Sequence, residues 1–183
     1  MPRTFVISDT WFNRLLEDDP NVNVVDNNEH IIENWNTTVN RDDEVYVLGG
    51  FGIGDLYQVL VRLNGKIHFL NNYFSEDERK FVDDMKKCVG ACSDPEFKTR
   101  ITFENNQITV LPKEDAVLSY FPLSDWAGKD TGTYCFHGLN DMVDMNEHSI
   151  SCASYKWDGV PVNIEDVKNN IVQFNRNVSE GLF

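Results

Sequence analysis

Three short apolar runs, each followed by a stretch with helical periodicity or a polar break, fill the first seventy residues and restrict the fold more than any other feature. Thr4 to Ser8 reads as a buried strand leading straight into Asp9. A polar, acidic stretch from Glu17 to Asn28 follows. Asp26 and Glu29 then form a capping box for a helix whose inner face carries Ile31 or Ile32, Trp35 and Val39. Glu44 to Leu48 is the second strand, and Gly49, Gly50, Gly52 and Gly54 make a turn after it. Leu56, Val59, Leu60 and Leu63 repeat at helical spacing until Asn64-Gly65, and Lys66 to Leu70 is the third strand. Strand–helix–strand repetition of this kind predicts parallel strands joined by right-handed crossovers.

Another amphipathic helix carries Phe81, Val82, Met85 and Val89, after which the period changes. Thr99 to Phe103 and Gln107 to Leu111 alternate around Glu104-Asn105-Asn106, the pattern of a hairpin. Val117 to Tyr120, Thr133 to His137 and Ser149 to Tyr155 are further strands. A closing helix begins near Asn163, with Val167, Ile171 and Phe174 on its apolar side. The expected fold is a layered α/β sandwich with mixed β-sheets flanked by helices, a parallel half followed by a more antiparallel half. With no repeat, linker or composition break, residues 1–183 are expected to form a single domain.

Thirty acidic residues oppose sixteen basic ones, a formal net charge of -14. That field disfavours direct nucleic-acid binding and an anionic membrane surface. It suits either solubility or an acidic face that docks on a basic protein partner. The four cysteines, Cys88, Cys92, Cys135 and Cys152, make no zinc-knuckle or thioredoxin-type spacing and are expected to be free thiols of a cytoplasmic protein. The opening MPRTFVIS lacks the apolar stretch of a secretory leader, and no run approaches the roughly 18 apolar residues of a membrane span.

In α/β folds ligands gather at the carboxyl ends of the strands. The segments that matter are therefore Asp9 to Trp11, Gly49 to Gly54, Asn71 to Phe74, Tyr120 to Pro122 and His137 to Asp141. They offer Asp9, Asp55, Asn72, His137 and Asp141 as polar ligands, too few for a dense two-metal site. Asp9 alone suits a helix cap or a local pair. His68, alternating with Ile67 and Phe69, suits a surface or hydrogen-bonded structural role; His30 and His148 show no recognisable partner. Ser119, His137 and Asp141 assemble a hydrolase triad only on paper, since no nucleophile elbow accompanies them.

The order and spacing of these segments resemble the calcineurin-like metallophosphoesterases, in their small bacterial and phage forms. That family's pattern runs Asp-x-His, Gly-Asp, Gly-Asn-His-Asp/Glu, a lone His, then Gly-His-x-His. The corresponding text here is Asp9-Thr10-Trp11, Gly49-Gly50, Asn71-Asn72-Tyr73-Phe74, Tyr120, and His137-Gly138-Leu139-Asn140-Asp141. Trp11, Tyr73, Tyr120, Leu139 and Asp141 stand where the pattern has histidines, and Gly50 where it has the bridging aspartate. Ile32-Glu33-Asn34-Trp35-Asn36, Leu63-Asn64-Gly65-Lys66 and Trp157-Asp158-Gly159-Val160-Pro161-Val162 extend the likeness along the chain.

The resemblance implies a family fold from which the chemistry has been removed. One metal position keeps Asp9 and Asp141, enough for a weak Mg²⁺ or Ca²⁺ contact; the other keeps only the amide of Asn72. No catalytic residue, metal-ligand set or cofactor is therefore assigned. Trp11, Phe51, Tyr73, Phe74, Tyr120, Phe121 and Leu139 would make the centre aromatic, as core filling, as an exposed protein-binding patch anchored by Phe74, or as a stacking pocket for a nucleotide. Glu17-Asp18-Asp19, Asp42-Asp43-Glu44 and Glu76-Asp77-Glu78 would supply an acidic rim. The expected function is a catalytically inactive, protein-binding relative, such as a phage-encoded inhibitor or regulator of a host protein with a basic or nucleic-acid-binding surface. The alternatives are a divergent phosphoesterase with an altered metal site and a nucleotide-binding protein.

Overall fold

Phe5, Ile7, Val45 and Val47 alternate along the chain with Val6, Tyr46 and Leu48, and both sets are buried. Strands that are apolar on both faces need cover on both. The computed structural model, which describes residues 1–14, 24–72, 76–138 and 148–170, supplies helices on one side and a second sheet on the other. In the first sheet, β1 (Thr4–Ile7), β2 (Glu44–Val47), β3 (Lys66–Phe69) and β4 (Ile101–Phe103) lie parallel in the order β4-β3-β2-β1. The register runs from Thr4 opposite Glu44 to Ile7 opposite Val47. A short antiparallel strand from the end of the chain, Val162–Asn163, closes the β1 edge.

The helical layer holds α1 (Val24–Thr38), the single turn α2 (Tyr57–Leu60) and α3 (Glu76–Ala91). Ile31, Ile32 and Trp35 of α1 join Phe5, Ile7, Val47 and Phe69 in one core cluster. Trp35 is fully buried and its indole N–H donates to the carbonyl of Asn64 at 2.9 Å, fixing α1 to the turn before β3. The capping box is displaced. α1 is already helical at Val24, so Asp26 lies in its first turn, where a carboxylate suits the helix dipole, and Glu29 pairs with Arg62. The helix expected over Leu56 to Leu63 is one turn long, although all four apolar residues are buried as anticipated. The sequence reading missed α4 (Pro95–Arg100), which starts on Asp94, whose carboxylate accepts the Glu96 N–H at 2.9 Å, with Pro95 in the first turn.

The expected hairpin is not one. Ile101–Phe103 joins the first sheet beside β3, whereas β5 (Ile108–Leu111) pairs antiparallel with β6 (Ala116–Ser119) in the second. Glu104 to Gln107 carries the chain from one sheet to the other, held by the Glu104 N–H on Phe69 O (2.8 Å) and the Asn71 N–H on Asn106 O (3.0 Å). The second sheet is also less antiparallel than expected: β6, β7 (Tyr134–His137) and β8 (Ser149–Ser151) run parallel, and only β5 opposes them. Residues 120–133 are long enough for the crossover that parallel pairing needs.

Val6, Tyr46 and Leu48 from the first sheet meet Leu118, Tyr120 and Phe136 from the second, giving a helix–sheet–sheet sandwich. Residues 164–170 are helical, begun by Asn163 Oδ1 accepting the N–H groups of Glu165 and Asp166; Ile171 and Phe174 lie outside the described residues. Asp43, read as part of an acidic rim, is buried. Its carboxylate accepts the backbone N–H groups of Arg3 and Asn40 (2.8 and 2.9 Å) and the Arg3 guanidinium at 2.8 Å. Burial pushes its pKa up, but those hydrogen bonds and the guanidinium outweigh burial and hold it below the usual carboxylate value.

Candidate functional site

Because β1, β2, β3, β6 and β7 all end at one edge, the residues that follow them are drawn together. The Asp9 N–H donates to Gly49 O and the Trp11 N–H to Gly50 O, both at 3.0 Å. The Gly138 N–H donates to Tyr120 O at 2.9 Å. The two sheets are joined here as well: the Ser8 N–H reaches Cys152 O at 3.0 Å, and the Cys152 N–H reaches His137 O at 2.7 Å. Asp9 and Trp11 take left-handed backbone angles, φ +53° and +47°, so the chain turns sharply as it leaves β1.

Asp9 is buried and at least two donors meet its carboxylate. Tyr120 Oη donates to Oδ1 at 2.9 Å, and Ser8 Oγ donates to Oδ2 at 3.0 Å. Ser154 Oγ donates to the Asp9 carbonyl at 2.6 Å. The expected local pair is what the structure shows for this residue. The Tyr120 ring reaches Asp9 through a slot made by glycines: a Cβ on Gly49 would lie 2.7 Å from Tyr120 Cδ2, and one on Gly138 2.6 Å from it. Gly50 sits at φ +63° with its α-carbon turned to Asp9, where a Cβ would stand 2.4 Å from Asp9 Oδ1.

Asn72 is buried, and its amide Nδ2 donates to Leu48 O (2.9 Å) and Gln107 O (3.0 Å), tying β2 to the linker between the sheets. His137 is fully buried on β7, beside Ser119 in register. Tyr73, Phe74, Leu139 and Asp141 lie outside the described residues, and with them the paper triad's third member and the second carboxylate of the weak-metal expectation. A two-ion centre needs a bridging ligand and several anionic or imidazole donors. At the described positions Gly50 has no side chain and no room for one, the Asn72 amide is spent on carbonyls, and Asp9 is tied to two hydroxyls. These residues do not fit a pair of metal ions.

The aromatic residues divide between core and rim. Phe51 turns into the helix-side core against Phe12 and Phe69, at 5.1 and 5.0 Å between ring centroids, and Tyr120 fills the strand-end centre. Trp11 stays half-buried beneath the Arg14 guanidinium, 4.6 Å from the ring centroid, and Phe121 is half-exposed, edge-on to Tyr120. Core filling therefore describes Phe51 and Tyr120; neither belongs to an exposed patch.

Sequence reading missed Glu78. Placed in an acidic surface segment, it is instead buried on α3 and lines a void of about 10 Å³, room for one water, with Gly49, Gly50, Phe81 and Val82. The signal was present: Glu78 stands three, four and seven residues before Phe81, Val82 and Met85, on their helical stripe. His30 does have a partner, Asp158 Oδ1 at 2.8 Å, with the Asn34 amide donating to Asp158 O at 2.6 Å. His68 stacks on Tyr46 at 4.7 Å and places Nδ1 3.2 Å from Glu104, the hydrogen-bonded structural role anticipated.

Between the turn after β1 and the start of α1 a cleft of about 300 Å³ stays open, with Asp9, Trp11, His30, Tyr155 and Asp158 in its walls.

Burial raises the Tyr120 pKa far above the usual phenol value, with the Asp9 charge and hydrogen bond and the Glu78 charge adding to it. Burial, then Glu44, Glu104 and Glu114, push Tyr46 up to about 12. A phenol whose pKa is higher folded than unfolded contributes stability that is complete below about pH 10. That stability is lost as pH rises from there towards the folded value, at up to about 1.4 kcal/mol per pH unit for each group. Urea unfolding at pH 9, 10 and 11 should show this alkaline decline, and Tyr120→Phe should make it shallower. An unchanged slope in that variant would mean that Tyr120 is not shielded in the folded chain.

No family profile and no curated protein sequence matches the chain. A solved structure of a protein of unknown function from Aquifex aeolicus is similar to it, with a TM-score of 0.62 and 17% identity over 92% of this chain and 99% of the other. A likeness at that identity carries the fold alone. Among the described residues no helix is long and apolar enough to cross a membrane.

Proposed function

We propose that the chain is a non-catalytic binding protein built on a metallophosphoesterase-like scaffold, and that its partner is a protein with a basic surface. The observation that carries this reading is the 2.9 Å hydrogen bond from Tyr120 Oη to Asp9 Oδ1. On such a scaffold the phenol would stand where metal ions are held, and the bond ties up a carboxylate that could otherwise take part in holding them. Gly50, with no space for a side chain beside Asp9, supports the same reading. A phosphoryl transition state needs positive charge concentrated at the reacting oxygens, whereas Asp9 lies at the strand ends and Glu78 of α3 lines the void beside Gly49 and Gly50. A net charge of -14 steers the chain towards cationic surfaces and away from nucleic acid.

Two measurements test the proposal. Calorimetric titration with Mn²⁺ should show no two-ion binding, and hydrolysis of bis-p-nitrophenyl phosphate with added Mn²⁺ should stay at the level of buffer. Turnover that follows the protein through purification and vanishes in Asp9→Ala would overturn the non-catalytic half. Affinity capture from lysate with identified partners, repeated at two salt concentrations, tests the other half: the captured protein should be basic and its retention salt-sensitive. Capture of acidic or neutral partners alone would sink it.

A further inference from the structure

We infer that the cleft beside Asp9 is an anchor site for an arginine side chain of the partner protein; this rests on the protein-binding reading above and specifies where the partner engages. The walls have the chemistry of a cation site. Trp11 and Tyr155 supply aromatic surface, the latter 60% exposed, and Asp158 supplies a carboxylate, with Asp9 adding its charge from behind the wall. Asp158 is held by His30 at Oδ1 while its side chain remains 81% exposed, so it is oriented and still reachable. No lysine or arginine is among the described residues lining the cleft. An indole face and a carboxylate in one cleft attract a cation by two independent terms, the ring quadrupole and the charge.

The chain already demonstrates the first of these contacts. Arg14 lays its guanidinium over the Trp11 ring at 4.6 Å, so this indole accepts a planar cation in its native setting. Guanidinium suits the cleft better than ammonium, because it stacks on an aromatic face while its fork donates to a carboxylate. Size points the same way. About 300 Å³ leaves ample room for one long side chain. The carboxylates of Asp9 and Asp158 would also repel a phosphate, which sets this cleft against the nucleotide-binding alternative.

The test uses the full chain and three peptides of the form Lys-Gly-X-Gly-Lys, with X as arginine, lysine or citrulline, titrated by calorimetry at low and physiological salt. The arginine peptide should bind at least about tenfold more tightly than the other two. Tyr155→Ala and Asp158→Asn should each remove most of that preference, and Trp11→Ala should abolish it, whereas Asp84→Asn, an exposed acid on α3, should leave it unchanged. Tyr155 and Asp158 are exposed, so those variants report on the site even where Trp11→Ala disturbs the turn after β1. Equal, salt-dependent binding of the arginine and lysine peptides by parent and variants would overturn the anchor and leave a charge-steered partner standing. No binding by any peptide at low salt would sink the anchor and the basic-partner reading together.

Discussion

Gly50→Asp, which would set a second carboxylate beside Asp9, is expected to cost at least about 4 kcal/mol of stability and to bring no phosphodiester hydrolysis. Three effects add. Gly50 has φ +63°, a left-handed angle that costs an L-residue roughly 1–2 kcal/mol. Its Cβ would lie 2.4 Å from Asp9 Oδ1 and 3.0 Å from Asp9 Cα, and the second neighbour is backbone that cannot swing aside. A new carboxylate would then share a buried site with Asp9 and Glu78, and an uncompensated buried charge costs about 3–5 kcal/mol. For a chain of this size the melting temperature should fall by about 8–16 °C. Gly50→Ala separates the steric part and should fall between parent and Gly50→Asp. Denaturant unfolding of the three proteins checks the order, and a Gly50→Asp protein within about 1 kcal/mol of the parent would show that the turn relaxes freely, against the packing described.

What could be read from the sequence was the set of properties that local periodicity encodes. The strands beginning at Thr4, Glu44 and Lys66 were readable because their runs are apolar and bounded by polar or glycine-rich turns, and their parallel order followed from the helices between them. The gathering of Asp9, Gly50, Asn72 and Tyr120 at one edge followed from that order. Pairing partners were a different matter. Ile101–Phe103 and Ile108–Leu111 alternate as hairpin strands do, and nothing within either run says that each pairs with a different sheet. Hydrogen bonds from Asn71 and Asn72 to Asn106 and Gln107 hold the linker across the sheet ends, a contact invisible in the local pattern. Charged residues were misplaced for a related reason. Asp43 and Glu78 read as surface because acids usually are, yet Asp43 is buried and paired with Arg3, forty residues away, and Glu78 is buried on the helical stripe it shares with Phe81. The Asp9–Tyr120 bond spans 111 residues and left no local trace in the sequence.

Tyr120→Ala should be the most damaging truncation at the strand ends, costing about 3–5 kcal/mol, against about 1–3 kcal/mol for Tyr120→Phe. The ring is 6% exposed and wedged between Gly49 and Gly138, neither of which has a side chain that could move into the space. Removing the ring therefore leaves a cavity that glycine backbone cannot fill, and the cost of such deletions grows with the volume left behind. Tyr120→Phe keeps the volume and removes one hydroxyl, so its cost reports the loss of that hydroxyl's interactions, the hydrogen bond to Asp9 among them. A double-mutant cycle of Tyr120→Phe with Asp9→Asn isolates that bond, and a coupling of about 1.5–3 kcal/mol is expected for a donor on a buried carboxylate. Coupling near zero would mean that Asp9 finds an equivalent donor when Tyr120 is gone, and the phenol would then be filler rather than the group that secures the carboxylate. The distinction bears on function, because a carboxylate released by Tyr120→Phe would be open to a divalent cation. Mn²⁺ titration of that variant alongside the parent should still show no saturable binding if the absent bridge at Gly50, and not the tyrosine alone, is what denies this centre a metal pair.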